Sequence, residues 1–291
     1  MFSGISLAIL TGLCWTAFGA VLSFTARGKH NVIAFGIVQN LFCALVSLAF
    51  FTTPSALGQG RPPALFALIF AGGFLNSLAQ IVTNRAMKQG HNGIIWAISQ
   101  SSMIVPFIMA ALCFAQPGSP CQWGGVALIL AGIVLPNLRS SSGNAASAKA
   151  FGAAFAAFLL FGAVQTLYLL PAMLDIPDPA HFRPVWAALG MTAGWTTTGT
   201  LRRQSLRPSR TMAMLGCFMA LISVSSLLLF FHAIDKLNQV GAGNIAIPLM
   251  VGSNIFFFTL FSIFNLREKS SCREWGILAA LLAGLILLAL R

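Results

Sequence analysis

Ten long apolar runs, separated by short polar stretches, account for most of this chain. They fall at roughly 3–24, 31–52, 64–84, 92–114, 123–138, 151–174, 184–200, 211–233, 239–264 and 274–290. A helix that crosses a bilayer needs about 20 largely apolar residues. The runs are continuous rather than alternating, which predicts helices and argues against a β-barrel. The least apolar run is 184–200, which carries Thr196, Thr197 and Thr198. The connections are brief. The longest is the Ser/Gly/Ala-rich stretch from Arg139 to Lys149, which reads as a linker. The expected fold is an all-α membrane protein of ten transmembrane helices in two five-helix repeats. The first repeat would cover 1–138, the linker 139–150 and the second repeat 151–291.

A motif written twice supports the division. Trp123-Gly124 leads to Ala131-Gly132-Ile133-Val134-Leu135, and Trp275-Gly276 leads to Ala283-Gly284-Leu285-Ile286-Leu287, 152 residues later. Each copy opens the last apolar run of its half. At a spacing of 148, Gly4 matches Gly152 and Lys88 matches Lys236. His91-Asn92-Gly93 then stands against Gln239-Val240-Gly241. Small residues on one face, such as Gly4, Ala8, Gly12, Thr16 and Gly19, point to close helix packing, as do Gly276, Ala280 and Gly284. Trp123 and Trp275 read as interfacial anchors.

Composition agrees, with 57% hydrophobic and 8% charged residues against about 25% charged in a soluble domain. The net charge of +12 does not indicate nucleic acid, because the cations are scattered between apolar runs. Thirteen of the 17 Lys and Arg fall in connections 1–2, 3–4, 5–6, 7–8 and 9–10. The positive-inside rule makes that end cytoplasmic and both termini external. An odd number of helices per half then inverts one repeat relative to the other. Inverted repeats suit alternating access to a central site. No basic region precedes the first run, so it is expected to be a retained helix rather than a signal peptide.

The candidate chemistry is polar and uncharged. Polar side chains at membrane depth face the bundle interior or a cavity. Asn76, Gln80, Trp96, Ser99, Gln100, Gln165, Tyr168, Ser225, Asn244 and Asn254 are the substrate-binding candidates. Asn76 and Gln80 share a helix face, as do Trp96 and Gln100. Ser226 lies beside Ser225. Asn84, Arg85 and His232 end their runs and are the gating or coupling candidates, Asn84 and His232 at the repeat spacing of 148. His232 also offers a route for a coupling proton. Pro106, Pro171 and Pro248 fall inside predicted helices and would kink them. The five acids (Asp175, Asp178, Asp235, Glu268 and Glu274) all fall at loops or run ends. The absence of a mid-membrane carboxylate disfavours a lipophilic-cation exporter and favours a neutral, zwitterionic or weakly anionic metabolite. The six cysteines form no C-x-x-C, and no metal, cofactor or nucleophile motif is present.

This architecture resembles the ten-helix drug/metabolite transporter superfamily, in its EamA-like branch. The specific likeness runs from Asn244-Ile245-Ala246-Ile247-Pro248 through Phe261 to Leu266-Arg267-Glu268, with the two Gly-rich final helices. In the first half, Gln116-Pro117-Gly118 lacks the acidic residue. The run Asn84-Arg85-Ala86-Met87 through Gly93 is similar to rhamnose and glucose uptake permeases. The resemblance implies a central cavity lined by both halves, with the final helices packed at the periphery. It implies both termini inside, opposite to the charge count. The expected function is secondary transport of a small polar metabolite, such as an amino acid, across a cell (bacterial inner) membrane. The protein would act as a monomer or homodimer, without cofactor, metal or nucleic acid. Sugar uptake is the alternative within transport. A non-transporting scaffold or an integral-membrane enzyme is the alternative outside it.

Overall fold

The apolar runs can satisfy their backbone polar groups within lipid only by coiling, and the computed structural model shows ten helices among its described residues. These are α1 (Phe2–Arg27), α2 (Val32–Phe51), α3 (Pro63–Met87), α4 (Asn92–Cys113), α5 (Pro120–Leu138), α6 (Ala145–Met173), α7 (Arg183–Leu201), α8 (Arg210–Asn238), α9 (Ala246–Phe264) and α10 (Cys272–Ala289). The structure describes residues 2–28, 30–51, 63–113, 118–138, 145–173, 183–240, 246–268 and 271–290. Among them there is no strand. Each helix falls on one of the ten predicted runs. The chain is an integral multi-pass membrane protein, and seven helices among the described residues are long and apolar enough to cross a bilayer.

Local side chains start several helices. Asn31 Oδ1 accepts the backbone N–H groups of Ile33 and Ala34 at 3.1 and 3.2 Å at the head of α2. Ser119 and Gln122 form a reciprocal capping box before α5. Ser209 Oγ accepts the N–H of Met212 in α8. His91, the residue before α4, gives that helix no side-chain cap. Its free N–H groups are satisfied from elsewhere, as described below.

Three boundaries depart from the sequence expectation. Helix α6 begins at Ala145, inside the stretch 139–150 assigned to the linker. Helix α8 continues to Asn238, where the apolar run was expected to end at 233. Leu237 is fully buried against Gly4 and the cluster of Ala8, Ala233, Ala246 and Met250, so packing carries the helix past its polar residues. Helix α4 is interrupted by a 3-10 turn at Ser101–Met103. Pro106 lacks an N–H for the Ser102 carbonyl and crowds it, which breaks the α pattern there. Pro248, by contrast, lies in the first described turn of α9, where a missing donor is tolerated.

The main helix pairs join one half to the other: α3 with α6, α3 with α7, α1 with α8, α1 with α9, α2 with α8, α4 with α6, α2 with α7, α4 with α9 and α5 with α10. Adding or subtracting five converts each pair into another member of the set or into itself. The set therefore has two-fold symmetry. Since five is odd, equivalent helices run in opposite directions across the membrane. The α5/α10 contact shows the symmetry at atomic level. A β-carbon on Gly284 would lie 2.5 Å from Ile129 and 2.8 Å from the Gly125 carbonyl. One on Gly132 would lie 3.6 Å from both Leu281 and the Ile277 carbonyl, their repeat equivalents. The duplicated motif thus packs the final helices together, while Trp123 and Trp275 stay exposed at their starts.

Helix α7 is not among the seven most apolar spans. Its glycines and threonines serve packing instead. Thr192 donates back to the Ala188 carbonyl at 2.8 Å, and Trp195, fully buried, fills the space left by Gly36 of α2. The largest apolar cluster joins α1, α3, α4, α5, α6, α9 and α10, with Trp96, Ile104, Ile129, Phe158, Phe258 and Leu281 among its members.

Candidate functional site

Residues three or four apart on a helix, and multiples of these, share a face, and three such faces meet where α1, α4 and α9 pack. Asn254, Phe258 and Ser262 follow one another along α9. Gln100, Trp96 and Asn92 follow one another along α4, and Thr16, Gly19 and Arg27 descend α1. Their contacts form three rungs.

The first rung is a polar relay centred on Asn254, which is fully buried. Its Oδ1 accepts from Trp96 Nε1 at 3.1 Å and from Thr16 Oγ1 at 3.3 Å. Its Nδ2 donates to Gln100 Oε1 at 3.3 Å. The second rung is aromatic. Trp96 and Phe258 have ring centroids 5.3 Å apart. Gly19 lets α1 close on both, since a β-carbon there would stand 2.7 Å from Phe258 and 2.9 Å from Trp96.

The third rung is held by Glu268, whose side chain is only 10% exposed. Its Oε1 accepts from Arg27 Nη2 at 2.6 Å, from the Asn92 backbone N–H at 3.2 Å, and from Asn92 Nδ2. Its Oε2 accepts from Ser262 Oγ at 2.5 Å and from the Gly93 N–H at 3.4 Å, with His91 Nδ1 at 3.1 Å. Glu268 is therefore the cap that α4 lacks locally, and its charge complements the positive helix N-terminus. Arg27 also donates to the Leu266 carbonyl at 3.1 Å. Arg267, with φ of 54°, holds the left-handed turn that presents Glu268.

Burial pushes the Glu268 pKa up. The hydrogen bonds from Ser262 and Asn92 and the charge of His91 outweigh this, leaving the carboxyl below its ordinary value. A depressed folded pKa adds stability above the unfolded value of about 4.3, and that stability is lost as pH falls through the lower folded value. Thermal melts from neutral pH downward should stay level with respect to this group until below about pH 4.3. The acid-side loss should shrink in Glu268→Gln.

A second polar cluster lies where α3 meets α6 and α7. Gln80 Nε2 donates to Asn76 Oδ1 at 3.3 Å, and Asn76 Nδ2 meets the Met191 thioether at 3.6 Å. Tyr168 from α6 sits beside Asn76, in space left by Gly72, where a β-carbon would lie 2.6 Å from its ring. Its hydroxyl closes no hydrogen bond of good geometry, and the buried Gln80 Oε1 has no partner among the described residues. Arg183 Nη1 donates to the Tyr168 carbonyl at 3.3 Å. An unpartnered polar atom in a buried site costs about 1–3 kcal/mol. This cluster therefore retains unused hydrogen-bonding capacity.

The structure separates the sequence candidates. It brings Trp96, Gln100 and Asn254 together in the relay and Asn76, Gln80 and Tyr168 together in the α3/α6/α7 cluster. Gln165 pairs across helices with Ser102 at 3.1 Å. Ser99 is fully buried but donates to the Ile95 carbonyl of its own helix, so its hydroxyl is already used. Ser225 lies on the exposed face of α8 with Met214, Phe218, Leu221 and Leu228, a lipid-facing stripe rather than an interior one. Its neighbour Ser226 is buried and bonds the Ser223 carbonyl. Asn244 lies outside the described residues.

The gating candidates separate as well. Asn84 is buried, and its Nδ2 donates to the Leu22 carbonyl and Thr25 Oγ1 at 2.8 and 2.9 Å, bracing α3 on α1. Arg85 is exposed in the last turn of α3, where a cation suits the helix dipole. His232 is exposed, with Nδ1 on the Leu228 carbonyl at 2.9 Å. The choice of polar residues at membrane depth missed Thr16, Ser102, Ser262 and Met191. Thr16 reads in sequence as a packing residue, and its polar role appears only once α9 is beside it.

Residues 2–138 match the model of the EamA-like transporter family. One solved crystal structure superposes over 98% of this chain and 96% of its own length, with a TM-score of 0.60 and 13% identity. At that identity it establishes the shared fold alone. No curated protein matches the chain.

Proposed function

From the match of residues 2–138 to the EamA-like transporter family, we propose that the chain is a member of that family and a secondary transporter of a small polar metabolite. The family consists of membrane transporters of the drug/metabolite transporter superfamily. The finer proposal is alternating access between two inverted halves. The substrate is neutral, zwitterionic or weakly anionic, an amino acid first among such compounds. We place it in a cell membrane, the inner membrane of a bacterium, with the basic end cytoplasmic and no catalytic chemistry.

The observation that carries the substrate class is the α3/α6/α7 cluster. Tyr168 offers a hydroxyl, Asn76 an amide N–H that meets the Met191 thioether, and Gln80 a carbonyl oxygen with no partner among the described residues. These groups recognise a molecule that both donates and accepts. None of the three carries a charge, so a net cation would find no counter-ion among them. A site built to hydrogen-bond a polar group discriminates strongly against analogues that lack it.

Thermal-shift screening of the purified protein against amino acids, sugars and nucleotide derivatives should identify a ligand, and proteoliposome flux should confirm it. Tyr168→Phe should then weaken ligand binding at least tenfold. The apo protein should be unchanged or slightly more stable, because an unsatisfied hydroxyl is removed. Gln80→Leu should likewise lose binding. A Tyr168→Phe protein that binds and transports normally would remove this cluster from the pathway. A sugar as the responding ligand would favour the uptake-permease alternative.

A further inference from the structure

We propose that Glu268 is a latch that holds one end of the transport pathway shut, and that its release is the step by which that end opens. The proposal rests on the alternating-access reading above. The three rungs at the α1/α4/α9 interface succeed one another toward the end that carries most of the basic loops. From the Asn254 relay, a solute moving that way meets the Trp96–Phe258–Gly19 layer and then the carboxylate. That carboxylate joins three helices through one side chain: Arg27 at the end of α1, Asn92 and Gly93 at the start of α4, and Ser262 near the end of α9. Gly93 and Ser262 pack closely, a β-carbon on the glycine standing 2.9 Å from the serine oxygen. Helix α4 cannot leave α1 and α9 at this end without stripping Glu268 of these donors.

The latch is one-sided. At the repeat offset of 152 residues, Glu268 corresponds to Gln116. An amide carries no charge to hold an arginine or a positive helix terminus. Two halves alike in helix pairing therefore differ in sequence at this position, one offering a carboxylate and the other an amide. The resulting prediction is a resting protein that favours the state closed at the Glu268 end. Arg27 is 43% exposed, so water can take over its hydrogen bonds when the latch releases.

The test reads directional access and needs no substrate. Thr16→Cys places a thiol behind both closing rungs. A membrane-impermeant methanethiosulfonate is added to sealed vesicles from the Glu268 end or from the opposite end. The variants are built on Cys14→Ser, because Cys14 shares the peptide that carries position 16, and mass spectrometry of that peptide separates it from the remaining native cysteines. Adding Glu268→Gln should raise labelling from the Glu268 end at least tenfold and lower it from the other end. Glu268→Asp should fall between. If Glu268→Gln fails to fold, Arg27→Gln with Ser262→Ala makes the same measurement and should raise the rate severalfold. An unchanged rate from the Glu268 end in a folded variant overturns the latch. So does an equal rise from both ends, which indicates general loosening. A directional shift in a protein with no ligand or flux would uphold the latch and count against transport. Normal flux without the shift would do the reverse.

Discussion

Replacing Asn254 by Leu is expected to lower stability by about 2–4 kcal/mol and transport by at least tenfold. An ordinary interhelical hydrogen bond in a membrane is worth only about 0.6 kcal/mol, so the Thr16 contact alone would not produce this loss. Thr16 also keeps its own-helix bond to the Gly12 carbonyl at 3.0 Å. The larger part comes from Trp96, which is 4% exposed and would be left with a buried N–H and no acceptor. A stranded donor costs about 1–3 kcal/mol, and Gln100 would lose its partner as well. Thr16→Val should cost under about 1 kcal/mol, because Asn254 would still accept from Trp96. Unfolding by denaturing detergent measures both. Equal costs for the two variants would mean that the relay does not depend on Asn254.

The second large effect is Gly190→Ala, expected to destabilise by about 2–3 kcal/mol and to impair insertion or assembly. Gly190 of α7 lies against the Phe70 carbonyl of α3, and Gly73 of α3 lies against the Ala187 carbonyl of α7. The obstructing atoms are backbone, so no side chain can swing away and the helices must separate. Alanine is otherwise the better helix former by about 1 kcal/mol. Gly124→Ala, where nothing lies within 4 Å, should therefore be neutral or slightly stabilising. Thermal unfolding of the two variants side by side should show opposite signs. A neutral Gly190→Ala would mean that α3 and α7 do not approach as closely as the structure shows.

Those two glycines mark a boundary of what pattern alone can tell. Both read as small residues in apolar runs. Gly124 even belongs to the duplicated Trp-Gly motif, yet it meets nothing, while Gly125 beside it touches the Gly284 carbonyl. Similarly, Ser225 and Asn254 look like equivalent polar interruptions. One lies on a stripe of exposed Leu, Met and Phe, and the other holds three helices together. Helical periodicity places residues on a common face, but it does not say whether that face meets lipid or another helix. In a membrane both surroundings are apolar, so hydropathy carries no signal for the difference.

The sequence by itself determined the number of helices, the duplication and its inversion. Spanning a bilayer demands long apolar runs, and an odd count per half reverses direction. It also determined that the interior polar groups are uncharged amides and hydroxyls. Only the tertiary structure decided which of them meet. Asn76 and Gln80 find Tyr168 across about ninety residues of chain, and Asn254 finds Trp96 at a separation of 158. It also decided that Glu268, in sequence one acid at a helix end, is the cap of α4. A carboxylate with 10% exposure depends on donors from three helices, and no local pattern brings those donors together.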